Sequence, residues 1–217
     1  MPRRKTIVAE AEIIPIGGAV PTNGAEEIIS FSEPYIAEVT IEGSRDLLFH
    51  GWNVEAIEEK ATAAKGSKSK KTDNLESYVY RDEYGVIGIP GNYLHAAIKH
   101  VGRYRQDPRS PRKSARDLFK EAIIMHTEVA PLGIKRWDYE HRARVVVQRN
   151  AITRTWPAIK RGWQATFRLE VILPEYVSPD VLNEVIAMAG RIAGIGDWRP
   201  TYGRFNIVSF KVIDLQT

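Results

Sequence analysis

Residues 35–42 alternate without a break. Tyr35, Ala37, Val39 and Ile41 fall on one side, and Glu38, Thr40 and Glu42 on the other. A period of two with one polar side marks a strand buried on one face, because successive side chains of extended backbone point in opposite directions. The period returns at 142–149, with Ala143, Val145 and Val147 inward and Arg142, Arg144 and Gln148 outward. It returns again at 165–173, where Ala165, Phe167, Leu169, Val171 and Leu173 share a face, and a last strand is expected at 205–213. Two apolar stripes at helical spacing lie between these strands. Leu94, Ile98 and Val101 give a helix at 91–104, and Val181, Val185, Met188 and Ile192 give one at 179–193. The second helix is well bounded: Ser178 caps it, Pro179 fits its first turn, Asp180 faces its positive end and Gly194 stops it. The order is therefore strand, helix, strand, strand, helix, strand. This is the β-α-β-β-α-β of the ferredoxin-like or RNA-recognition arrangement, an α+β fold in which an antiparallel sheet carries helices on one face. Its other face is left for a ligand.

At 217 residues the chain fits one domain, 1–217, with insertions at about 43–90, 105–141 and 150–164. Inside them the pattern predicts a short helix over 53–65, a loop without apolar residues over 66–72, and a helix over 115–126. The absence of cysteine removes disulfides and thiolate metal sites. His50, His95, His100, His126 and His141 are dispersed, and His95 and His100 miss the one-turn spacing of a helical metal pair. No metal or other cofactor is expected. Arg3, Arg4 and Lys5 are followed by Glu10 and Glu12 rather than by a signal-peptide core. No apolar run approaches the ~18–20 residues of a membrane helix, so a cytoplasmic protein without a membrane partner is expected.

The net charge is +4 and the pI about 9.2, but the distribution is more informative than the total. Between His141 and Leu169 there is no Asp or Glu, while Arg142, Arg144, Arg149, Arg154, Lys160, Arg161 and Arg168 all fall there. Lys99, Arg103, Arg105, Arg109, Arg112, Lys113 and Arg116 form a second concentration, opposed mainly by Asp107 and Asp117. Residues 9–59 hold 11 of the chain's 27 carboxylates. A basic face and an acidic face follow, and the basic one points to nucleic acid.

Two segments carry the sharpest chemistry. Between the last helix and the last strand runs Gly194-Ile195-Gly196-Asp197-Trp198-Arg199-Pro200-Thr201-Tyr202-Gly203-Arg204-Phe205. Gly194, Gly196 and Gly203 permit positive φ and let backbone amides approach a phosphate, Arg199 and Arg204 bring charge, and Trp198 and Tyr202 offer stacking faces. The alternative reading of Gly194 alone is a helix stop. The other segment, Ile89-Pro90-Gly91-Asn92-Tyr93-Leu94-His95-Ala96-Ala97-Ile98-Lys99, turns into a helix whose first amides suit an anion.

Together these segments resemble the RAMP superfamily, the repeat-associated proteins of CRISPR systems. That family has an "IPGSSLKGALR"-like run at its first helix and a basic glycine-rich loop before its final strand. The run from Tyr80 to Gly91 is similar to the family's lead-in, and Leu94, Ala97 and Lys99 match its Leu, Ala and basic positions. Asn92-Tyr93 stands in place of Ser-Ser, and Phe205 where the loop often ends in Gly. The resemblance implies a subunit that coats guide RNA (crRNA) as a repeated filament, beside other CRISPR effector subunits, and that is not an enzyme. It also implies a projecting hairpin over a neighbour's RNA. Its counterpart here is 150–164, with Arg154, Trp156, Lys160, Arg161 and Trp163 on it. The expected RNA contacts are these five together with Asn92, Lys99, Arg103, Arg142, Arg144, Arg149 and the glycine-loop residues Gly194, Gly196, Trp198, Arg199, Tyr202, Gly203 and Arg204. Some related subunits cut target RNA with a loop aspartate, and Asp73 is the residue most like it. The competing readings are a guide-processing endoribonuclease of the same superfamily and an unrelated single-stranded nucleic-acid module.

Overall fold

β1 (Tyr35–Gly43) lies inside a four-stranded sheet, and its odd-numbered residues Tyr35 to Ile41 are buried as the alternation requires. This is a computed structural model, and it describes residues 33–51, 58, 62, 74–147 and 149–213, all within the unit Phe31–Thr217. The loop 66–72 and Asp73 lie outside the described residues. So does the helix predicted over 53–65, except for Glu58 and Thr62, which are both helical.

Flanking β1 are β11 (Gln164–Val171) and β12 (Phe205–Ile213), both antiparallel to it, with Tyr35 opposite Val171 and Gly43 opposite Phe205. β7 (Ile123–Met125) closes the far edge beside β11, giving the order β12-β1-β11-β7. The core fills one side of this sheet. Val39, Ile41, Phe167 and Leu169 meet Leu94, Ile98 and Val101 of α1 (Gly91–Gly102) and Leu182, Val185 and Ile186 of α3 (Pro179–Ile192) in a single apolar cluster. A short α2 (Arg116–Ala122) packs on α1. The result is the ferredoxin-like α+β fold. No described helix is long and apolar enough to cross a membrane.

The end of α3 behaves as its sequence requires. The Ser178 hydroxyl accepts from the Val181 amide, and the Gly194 amide donates to the Ala189 carbonyl at 2.9 Å with Gly194 at φ 68°. Gly91 has a different reason for being glycine. A side chain there would run into the Thr127 carbonyl, because β4 (Ile87–Pro90) pairs with β8 (Val129–Pro131) immediately before the helix. The Gly91 amide donates to the Glu128 carbonyl, so it is not one of the open amides expected at the helix start.

Two assignments change. The helix expected over 115–126 stops at Ala122, and Ile123–Met125 pairs with β11 instead, with Ile123 opposite Val171. Two consecutive β-branched residues beside an open sheet edge favour the strand. The strand expected at 142–149 forms as β9 (Tyr139–Val147), but it is not the second strand of the core sheet; β7 takes that position. β9 pairs with β10 (Asn150–Ile159), with Trp156 opposite His141, and β10 continues to β2 (Leu47–Leu48) in a separate three-stranded sheet. The projecting hairpin is thus 139–159 rather than 150–164, and Arg149 sits at its turn with φ 68°.

Candidate nucleic-acid interface

β12 starts opposite the end of β1, and the loop that leads into it shares a cleft with the start of α1, so the two segments singled out in the sequence face each other. Between them lies an open cleft of about 440 Å³. Asn92, Tyr93, Ala96 and Lys99 line one side and Gly196, Asp197 and Arg199 the other. No described carboxylate forms an ion pair with Lys99 or Arg199, which leaves both cations available to an anion. Asp197 is the acid in the cleft, and both its oxygens are engaged. Oδ2 accepts from the Trp156 indole at 2.7 Å and Oδ1 from the Trp198 amide at 2.8 Å.

The loop is held from below by a second aspartate. The Asp46 carboxylate accepts from the Tyr139 hydroxyl at 2.6 Å and the Arg161 amide at 2.9 Å, and its carbonyl accepts from the Gly203 amide at 2.8 Å. Burial and then the Asp46 contact push the Tyr139 phenol up. Above this anchor His141, Trp156, Trp198 and Tyr202 gather, with ring centroids 5.1–5.8 Å apart. Trp198 is 39% exposed, so one indole of the group remains open to a ligand.

The remaining predicted contacts are placed unevenly. Gly194 and Gly203 are buried and their amides are taken by the Ala189 and Asp46 carbonyls, so those two amides face the protein rather than a phosphate. Trp156 and Trp163 are 2% and 5% exposed, which corrects their expected role as RNA contacts. The Trp163 indole donates to the Arg45 carbonyl at 2.9 Å and lies where any side chain on Gly43 would have to go. Arg142 and Arg144 are exposed on one face of the hairpin, opposite Thr155 and Thr153, while Arg154 is half-buried on the other face with Ala143. Lys160 and Arg161 are exposed on the turn from β10 to β11, and Arg103 just beyond α1. Arg204 is exposed and donates to the Pro200 carbonyl at 2.9 Å.

The helix-free face of the core sheet is not the basic surface. The strand registers put Glu38, Glu42, Thr40, Gln164, Thr166, Arg168, Glu170 and Lys211 there, and Arg168 is bound to Glu38 at 2.8 Å. The acid-free stretch therefore divides, its Arg142–Arg149 part on the hairpin and its Arg168 end on a face with three glutamates. Sequence reading missed Asp46, Asp197 and His141 as the parts that organise the loop. Only His141 left a local trace, its period-two relation to Tyr139. Among the described residues no group of three His, Asp or Glu side chains is arranged to hold a metal.

No family model matches the chain, and no curated protein does. Solved structures do. One is a chain of the cryo-EM structure of the Type III-B Cmr-beta bound to cognate target RNA, at TM-score 0.51 and 12% identity over 84% of this chain and 61% of that one. The crystal structure of Cmr6 from Pyrococcus furiosus matches at TM-score 0.44 and 10% identity over 80% of this chain and 98% of that one. This chain thus spans about three fifths of the length of the Cmr-beta chain, and what the two share is the fold.

Proposed function

We propose that this protein is a RAMP-type subunit of a CRISPR effector complex that binds guide RNA along its backbone and coats it without cutting it. The observation that carries this reading is the cleft where Lys99 and Arg199, neither in an ion pair with a described carboxylate, meet across the fold from two segments that both resemble the family's own. Supporting it, the same fold occurs in a Cmr-beta structure bound to cognate target RNA. The hairpin 139–159, with Arg142 and Arg144 exposed on one face and Arg149 at its turn, suits contact with a neighbouring copy's RNA. Head-to-tail contacts between copies build open filaments, so the number of copies bound should rise with RNA length.

The test is a titration of single-stranded RNAs of increasing length at several salt concentrations. Affinity should fall with salt at a slope of about −0.7 per phosphate contacted, with little dependence on sequence. The number of copies per strand should grow with strand length. Binding that scarcely changes between low and moderate salt contradicts the backbone reading, and one copy per strand at every length contradicts coating.

A further inference from the structure

β12 ends the core sheet on one side, and no described strand pairs with its outer edge. An edge strand offers unpaired backbone amides and carbonyls to which another extended chain can add. Proteins commonly blunt such edges with a bulge or a lysine, and β12 carries one of each. The bulge is at Val208, since Ile207 lies opposite Ile41 and Ser209 opposite Thr40. Val208 is 56% exposed and lines an open groove of about 390 Å³ that runs beside the strand.

The groove has the proportions of an extended chain. One side is the edge itself, Asn206–Phe210, about 16 Å of strand at ~3.3 Å per residue. The other side is Asn183, Ala187 and Arg191, which share one face of α3 and span about 12 Å. α3 is held close over the start of β12, because a side chain on Gly190 would run into the Phe205 carbonyl.

The lining selects the occupant. Val208, the half-buried Ile207 and Phe210, and the small Ala187 suit aliphatic side chains. Arg191 and the amides of Asn183 and Asn206 supply donors, and no carboxylate lines the groove. Arg191 is in no ion pair with a described carboxylate, and Glu184 of the same helix is bound to Arg105 at 2.8 Å. On the opposite face of the strand Lys211 lies across from Glu38, which Arg168 occupies. A strand added here therefore meets a cation on each of its faces.

We propose that β12 and α3 form a docking groove for an extended acidic segment of another polypeptide, which joins the core sheet as a fifth strand. Its aliphatic side chains cover Val208, and its carboxylates reach Arg191 on one face and Lys211 on the other. Main-chain bonds along the edge supply affinity, and the alternate side chains supply selectivity. The groove goes beyond the RNA-binding reading and shares no residue with the cleft of Lys99 and Arg199.

The test titrates the full chain into a short labelled peptide in which valine and glutamate alternate, read by fluorescence anisotropy. The peptide should bind saturably. Two versions are N-methylated at alternate amides, in opposite phases. One turns its methyl groups onto β12 and should bind about ten-fold more weakly, while the other should bind like the parent peptide. Arg191→Glu should weaken the glutamate peptide about ten-fold and strengthen a valine–lysine version. Val208→Asp should also weaken the glutamate peptide. Both residues are exposed, so both variants should melt like the parent protein and bind single-stranded RNA as it does. Absence of saturable binding, or equal binding of the two methylated phases, overturns the groove and leaves the RNA reading standing. Displacement of the peptide by single-stranded RNA, with weaker RNA binding in Arg191→Glu, would give the groove to RNA and overturn the assignment. Oligomers of the chain that the peptide breaks apart would give it to a second copy, with the same consequence. Peptide binding by a chain that binds no RNA would overturn the RNA reading alone.

Discussion

Gly203→Val should leave little folded protein, while Arg199→Ala, four residues away in the same loop, should fold like the parent. Gly203 holds φ 72°, and a β-carbon there would fall on the Ile195 carbonyl oxygen, with the Ile195 amide nitrogen also only 3.1 Å away. Neither group can yield, because the Ile195 amide donates to the Gly203 carbonyl at 2.9 Å and the Gly203 amide to the Asp46 carbonyl at 2.8 Å. The left-handed backbone costs an L-residue roughly 1–2 kcal/mol, and forced overpacking roughly 1–3 more. Breaking the Asp46 anchor adds to that, and β-branching makes positive φ harder still. Against a total stability on the order of 5–15 kcal/mol, the sum is enough to lower the melting temperature by about 10 °C or to prevent recovery of folded protein. Arg199 is exposed and makes no described ion pair, so its truncation should stay within about 0.5 kcal/mol. Thermal melts of the two variants check this, and parent-like melting of Gly203→Val would mean that the loop is not built around Asp46.

The second large effect is on binding. Lys99→Ala combined with Arg199→Ala removes both cations of the first cleft. A charge-assisted hydrogen bond is worth roughly 1.5–3 kcal/mol, and two in one cleft need not add. The pair should therefore weaken single-stranded RNA binding by about 2–5 kcal/mol, or about 30-fold to a few thousand-fold, measured by anisotropy at fixed salt. The salt slope should become shallower by about 1.4, since each lost phosphate contact removes about 0.7. Retained affinity with an unchanged slope would take the cleft out of the RNA path.

The strands and helices were legible wherever the signal was local. The alternation of Tyr35 to Ile41, the cap at Ser178 and the stripe of α3 each follow from residues within one element. Partners were not legible. The period of two at 142–147 marks a strand, but nothing local says that β9 pairs with β10 while Ile123–Met125 completes the core sheet. Trp156 and Trp163 beside Arg154 and Arg161 read as RNA contacts, because cations next to aromatics are what such a surface is made of. Their indole partners, Asp197 and the Arg45 carbonyl, are 41 and 118 residues away in sequence, and those bonds are what let the rings be buried. The cleft itself was half legible. Each segment was read as anion-binding, and the β-α-β-β-α-β order brings the first helix and the last loop to one end of the sheet. The role of Asp46 in fixing that loop comes from tertiary contacts alone.

On the proposed reading RNA lies across the cleft between α1 and the glycine loop, and not across the helix-free face of the core sheet as the fold's order alone would allow. Photocrosslinking the full chain to a 4-thiouridine-substituted single strand, followed by peptide mapping, tests this most directly. Crosslinks are expected within Tyr93–Lys99 and Gly196–Arg204, with a further set on the hairpin at 142–149. Crosslinks concentrated instead at Thr40, Thr166 to Glu170 and Lys211, with none in the cleft, would contradict it.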